Sequence, residues 1–240
     1  MQKVRIYDLP TRLFHGLFAL AFITAFGIAN FVDDESNVFS FHMLAGLIMG
    51  FCIIWRIIWG VVGTRHARWS DFTFAPAKLK HYLAEAYTGR KHSFAGHNPA
   101  SSWAAVLMIL LGILMVTTGC LMILGLGGEI MEEAHELIAN TFLLVVVLHI
   151  AGIVIHQLQY KDNMHHSMLH GYKRITMPAG SDVVQHKLAG SLFLTITLVF
   201  AAYLISNYTV ETRTLTVFSQ PFVLAEPDHE DYEYDNQHED

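Results

Sequence analysis

Apolar residues arrive along this chain in five blocks, at roughly 12–31, 41–63, 102–124, 134–159 and 187–207. Each block is long enough to cross the ~30 Å hydrocarbon layer of a bilayer as a helix, where all backbone groups are satisfied internally. Between the second and third blocks lies a long polar stretch. Within it His81 to Tyr87 reads as a short amphipathic surface helix, broken by Gly89 and by Gly96–Pro99. The chain divides into a four-helix membrane unit at 1–175, an additional transmembrane helix at 176–210, and an acidic tail at 211–240. That tail, polar from Phe218 onward and holding His229, Tyr232, Tyr234 and His238 among carboxylates, reads as solvated and disordered. No internal repeat is present. The fold class expected is an all-α integral membrane protein, a four-helix bundle with a fifth C-terminal span.

Composition agrees. The 240 residues are 53% hydrophobic and only 15% charged, against about 25% charged in ordinary soluble domains. Lys3, Arg5 and Arg12 open the chain as a signal peptide would, but no small-residue cleavage site follows, so the first span is expected to be retained. Charge sorts by loop. Asp33, Asp34 and Glu35 fill the first connection; Arg65, Arg68, Lys78, Lys80, Arg90 and Lys91 the second. Glu129, Glu132 and Glu133 fill the third, and Lys161, Lys173, Arg174 and Lys187 the fourth. Basic loops stay inside, so the expected topology is a multi-pass membrane protein with its N-terminus cytoplasmic, the acidic first and third loops outside, and its C-terminus outside. Cys52 and Cys120 both lie within spans and read as small core residues.

Ionisable groups inside spans are costly and usually functional. Four histidines stand in or at the ends of spans: His15, His42, His135 and His149. The last two are separated by nearly four helical turns, about 21 Å, and share one face. In the expected topology His42 matches His135 in depth near the outside, and His15 matches His149 near the cytoplasm. Two imidazoles on opposite sides of a macrocycle give the low-spin iron of an electron-transferring b-type cytochrome. Two such pairs imply two haem b groups, with these four histidines as the metal ligands. His42, Gly46 and Gly50 form a ladder without bulk, Gly152 follows His149, Ala139 follows His135 and Gly16 follows His15. Gly112 and Gly119, on a span without histidine, read as packing positions. Arg12, Arg56 and Arg65 near the cytoplasmic boundary suit haem propionates. His156, seven residues past His149, is the rival ligand. The remaining histidines, His66 and His97 among them, read as bland.

These residues carry a resemblance. Asp8-Leu9-Pro10-Thr11-Arg12-Leu13-Phe14-His15, His42-Met43-Leu44-Ala45-Gly46 and Arg56-Ile57-Ile58-Trp59-Gly60-Val61-Val62-Gly63 follow in order. Then come Arg65-His66-Ala67-Arg68-Trp69-Ser70-Asp71-Phe72, Gly96-His97-Asn98-Pro99, Tyr160-Lys161-Asp162-Asn163 and Gly171-Tyr172-Lys173-Arg174. The chain thereby resembles the bacterial cytochrome b561 and nickel–iron hydrogenase cytochrome b family over about residues 4–174. The resemblance implies a four-helix core with two b haems, held by His15, His42, His135 and His149. It implies electron transfer between the quinone pool and a hydrogenase, another periplasmic oxidoreductase or a c-type cytochrome, and some members act alone as quinol oxidoreductases. The fifth span and acidic tail lie beyond the family pattern and suit a basic soluble cytochrome steered by negative charge.

No nucleophile–base pair, carboxylate dyad or phosphate loop is present, so hydrolysis and group transfer are not expected, nor is a nucleic-acid partner. The alternatives are a histidine-rich divalent-metal transporter, which would gather carboxylates and histidines at mid-membrane, and a cofactor-free membrane anchor.

Overall fold

The computed structural model describes residues 2–88, 94, 96–161, 164–175 and 182–224. Five helices are long and apolar enough to cross a membrane: α1 (Leu9–Phe31), α2 (Ser40–Val62), α4 (Pro99–Ile123), α5 (Gly128–Tyr160) and α7 (Lys187–Ser206). Two shorter helices, α3 (Pro76–Thr88) and α6 (Met164–His170), lie in the connections. The expected surface helix at 81–87 is thus the later part of α3, which begins at Pro76 because proline suits a first helical turn. The spans alternate in direction. One end of the bundle carries the Lys/Arg-rich connections (the basic end); the other carries Asp33–Glu35 and the start of α5 (the acidic end).

Local chemistry sets the helix starts at the basic end. Asp8 is fully buried and caps α1, accepting from the Thr11 N–H at 2.9 Å. Its other oxygen accepts from Trp59 Nε1 at 3.0 Å and from Thr64 Oγ1 at 2.7 Å. One carboxylate therefore pins the start of α1 to the end of α2, the cap itself contributing about 1 kcal/mol. Asn98 does the same for α4, accepting from the Ser101 N–H at 2.7 Å and donating to the Tyr82 hydroxyl of α3 at 3.0 Å. Gly60 is close-packed against Trp69, where a Cβ would overlap the indole.

Two small sheets accompany the helices. At the basic end β1 (Gln2–Arg5) pairs antiparallel with β2 (Tyr172–Ile175), Arg5 opposite Tyr172. The pairing depends on Gly171 at φ 86°, whose carbonyl takes the Ile6 N–H at 2.8 Å, and where a Cβ would meet the Tyr7 carbonyl at 2.7 Å. At the acidic end β3 (Tyr208–Thr209), β4 (Thr214–Val217) and β5 (Gln220–Val223) form an antiparallel meander. This differs from the disordered tail expected over 211–240. Leu215 and Leu224 are buried against Leu44 of α2 and Leu204 of α7, so part of that stretch has its own apolar anchor. The alternation in Thr214–Val217 is too short to stand out from sequence. Residues 225–240, with His229, Tyr232, Tyr234 and His238, lie outside the described residues.

The third connection also differs. Gly125, Gly127 and Gly128 take positive φ and turn the chain within a few residues. α5 therefore starts at Gly128, and Glu129, Glu132 and Glu133 sit on its first turns, not in a loop. At 33 residues α5 is about 50 Å long, longer than the ~30 Å hydrocarbon layer. The bundle core lies midway, where Ala21, Phe22, Met49, Leu111, Met115, Phe142 and Val145 pack together.

Candidate cofactor site

At the acidic end His42 enters from α2 and His135 from α5. Their ring centres stand 6.1 Å apart at an interplanar angle of 73°. His135 lies two turns inside α5 and does not open it. Each ring is held through Nδ1. His42 Nδ1 donates to the Ala25 carbonyl of α1 at 2.8 Å, a group that can only accept. His135 Nδ1 lies 2.8 Å from Thr118 Oγ1 of α4, whose own proton is committed to the Leu114 or Met115 carbonyl, each at 3.0 Å. Thr118 therefore accepts from His135. Both imidazoles are fixed in the tautomer that leaves Nε2 unprotonated, the state a metal ligand needs, with the outer hydrogen bond setting ring orientation.

The surroundings fit a flat apolar group. His42 and His135 line an apolar cleft with Gly46, Gly119, Met115 and Cys120 among its walls. A Cβ at Gly46 would meet nothing within 4 Å, and one at Gly119 would lie 3.5 Å from the His135 ring. Two imidazoles bonded to one metal atom at about 2 Å each would place their ring centres about 6 Å apart, the separation seen here. The glycine ladder read from sequence divides in two: Gly46 leaves room, whereas Gly50 is filled by Val116 at 3.0 Å and serves the approach of α2 to α4. Of the packing glycines, Gly112 meets Ile53, but Gly119 belongs to the cleft. Cys120, expected in the core, also lines it.

At the basic end His15 and His149 lie within electrostatic range of each other, though no ring contact joins them among the described residues. A Cβ at Gly16 or Gly152 beside them would meet nothing within 4 Å. His156 is placed otherwise. It is buried, stacks on Tyr160 at 4.2 Å, and its Nδ1 faces the Tyr82 hydroxyl at 3.5 Å. This rival is engaged with α3 at the end of its own helix.

Arg56 is buried, with its guanidinium 4.1 Å over Trp69 and further from Phe72 and Phe14. It has no carboxylate within ion-pair distance, and Nη1 has no hydrogen-bond partner among the described residues. A buried cation so placed asks for an anion. Arg12 donates through Nη2 to the Leu169 carbonyl, while its Nε has no partner among the described residues. Arg65 is exposed and lies 3.9 Å from Asp71, so it is committed elsewhere.

Sequence reasoning passed over a cluster beside Arg56. His66 Nδ1 and Asp71 Oδ2 are 2.8 Å apart, and Gly96 packs on both so closely that a Cβ would collide with them. Burial alone would raise the Asp71 carboxyl. The His66 hydrogen bond and the charges of His66, His97 and Arg65 override it, leaving Asp71 below its ordinary value. His97 packs on Phe72 at 4.4 Å and Tyr7 at 5.7 Å. Burial, followed by the Arg56 charge, pushes its imidazole down to about 3. The Gly96-His97-Asn98-Pro99 string was the available signal.

Among the described residues no three His, Cys, Asp or Glu side chains gather to hold a metal ion by themselves.

Comparison with known proteins follows the same direction. The family model for prokaryotic cytochrome b561 matches residues 6–171, which includes α1 to α6 and ends before α7. The chain is 24% identical over 218 residues to a probable Ni/Fe-hydrogenase B-type cytochrome subunit of Rhodobacter capsulatus, covering 71% of this chain and 81% of the relative. No solved structure matches it.

Proposed function

Since the chain belongs to the prokaryotic cytochrome b561 family and is a multi-pass membrane b-type cytochrome of electron transfer, we propose that it relays electrons through two b haems between the quinone pool and a redox protein outside. His42 and His135 would hold one haem, His15 and His149 the other, with Arg56 and Arg12 beside the propionates at the basic end. The observation that carries this reading is the His42–His135 pair, 6.1 Å apart with both Nδ1 atoms committed. A haem held by such a pair of imidazoles would supply one-electron exchange.

What the chain itself contributes is orientation and exclusion of water. The Ala25 carbonyl and Thr118 set the outer rings. Phe18, Phe22 and Phe142 fill the space between the two histidine levels, ring centres 4.7 and 6.0 Å from Phe142. The positive-inside rule places the basic end in the cytoplasm and the acidic end in the periplasm. Quinone exchange belongs near the basic end, where the His66–Asp71 pair stands beside His97, which lies within electrostatic range of His149. The Rhodobacter relative is named for a hydrogenase; here a hydrogenase, another periplasmic oxidoreductase or a c-type cytochrome each suits the acidic face.

The test is a reduced-minus-oxidised spectrum with haem quantified per chain. Wild type should hold two haems, and His42→Ala or His135→Ala about one. An unchanged haem content in both variants would overturn the assignment.

A further inference from the structure

The meander at the acidic end has two faces with different characters. One is anchored: Leu215 and Leu224 pack on Leu44, with Met43, Leu47 and Ile123 against the same cluster. Met43, Leu47 and Ile123 also line the His42–His135 cleft, so the meander sits directly beside the outer pair. Arg213 Nε donates to Asn37 Oδ1 at 2.8 Å and ties the meander to the connection leading into His42. The sheet is therefore fixed relative to the place where charge would leave or enter.

The other face is open. Val217 and Gln220 pair across a two-residue turn whose central residues, Phe218 and Ser219, both have positive φ, 49° and 64°. Such turns favour Asn-Gly, because positive φ is unfavourable for other residues. The phenyl ring of Phe218 is 91% exposed among the described residues, so no packing there offsets that cost. Val223 is exposed at the other end of the hairpin, opposite Thr214, and Val210 is exposed in the turn between β3 and β4. That end of the meander is acidic: Glu211 precedes Arg213, and Asp33, Asp34 and Glu35 precede Asn37, all exposed. Residues 225–240, which continue directly from the meander, contain eight carboxylates and no Lys or Arg. An exposed aromatic side chain on a sheet whose other end is acidic offers a partner both an apolar anchor and a charge to recognise. The acidic residues repel anionic lipid and a second copy of this chain, and they attract a basic partner.

We propose that the meander, with Phe218 at one tip and Asp33, Asp34, Glu35 and Glu211 toward the other, is the docking surface for a soluble redox protein whose contact face carries lysines or arginines beside an apolar patch. This rests on the dihaem reading above.

The experiment uses the full-length protein in lipid nanodiscs, chemically reduced and mixed with a basic ferric c-type cytochrome over a range of ionic strength. Wild type should react fast at low salt and slow steeply as salt rises. Phe218→Asn, which suits positive φ and keeps the turn, should lower the second-order rate about tenfold. The combined Asp33→Asn, Asp34→Asn, Glu35→Gln, Glu211→Gln variant should lower it about tenfold at low salt and flatten the salt dependence. Both should react with a small uncharged oxidant at the wild-type rate. Unchanged rates with the basic cytochrome in both variants would overturn the proposal. So would quenching of a Phe218→Trp reporter by brominated lipid, which would assign the tip to the membrane. A wild type without haem bands defeats the dihaem reading, whereas a haem-loaded wild type whose variants react normally defeats only the docking surface.

Discussion

Thr118 shows how one hydroxyl decides the tautomer of a histidine, here the proposed ligand His135. It accepts from His135 Nδ1 because its own proton is already turned to its helix. Thr118→Val keeps shape and removes the acceptor. Haem titration of the apoprotein should then show affinity at the outer site weakened about 10- to 100-fold, with the other site unaffected. His97 yields a pH prediction. Its folded value near 3 lies well below the 6.5 of an unfolded histidine, so between those values the unfolded chain binds a proton that the folded one does not. This histidine's stabilising share is therefore complete above about 6.5 and declines as pH falls toward 3. Thermal unfolding in detergent should show the difference between wild type and His97→Gln shrinking from pH 7.5 to pH 5; a constant difference would contradict it. Neither residue announced itself in sequence. Thr118 is an ordinary span residue until α5 is laid against α4, and His97 is one of 15 histidines.

At the level of elements, α5 organises the molecule. His135, Phe142 and His149 follow at seven-residue intervals, about 10 Å apart along the axis, so the two histidines proposed as ligands and the phenylalanine between them share a face. Phe142 is buried at 1% exposure and belongs to the mid-bundle core. Phe142→Ala should destabilise the bundle by about 3 kcal/mol through lost packing, seen as a lower unfolding midpoint, while haem per chain stays at the wild-type value. A fall in haem content at unchanged stability would show that Phe142 is a cofactor contact and not a spacer. The spacing along α5 was legible in the sequence because helical periodicity is a local property. The surroundings of His156 were not, since Tyr82 of α3 reaches it across 74 residues of chain.

For the whole molecule, charge sorting and anchoring combine. The basic connections gather at one end with β1, α3, α6 and β2, and the acidic connections at the other with the meander. An enzyme active only outside the cytoplasm should work when fused after Leu224 and fail when fused within the α2–α4 connection; the reverse pattern would invert the proposed topology.

Hydropathy and charge along the chain determined five spans, their alternation and the matched depths of the four histidines, because insertion into lipid is governed by each segment's own transfer energy. Only the tertiary structure decided which imidazole nitrogen is left free, that Arg56 lies buried over Trp69, and that a meander caps the acidic end. Those features are made by residues far apart in sequence, and no local pattern encodes which of them will meet.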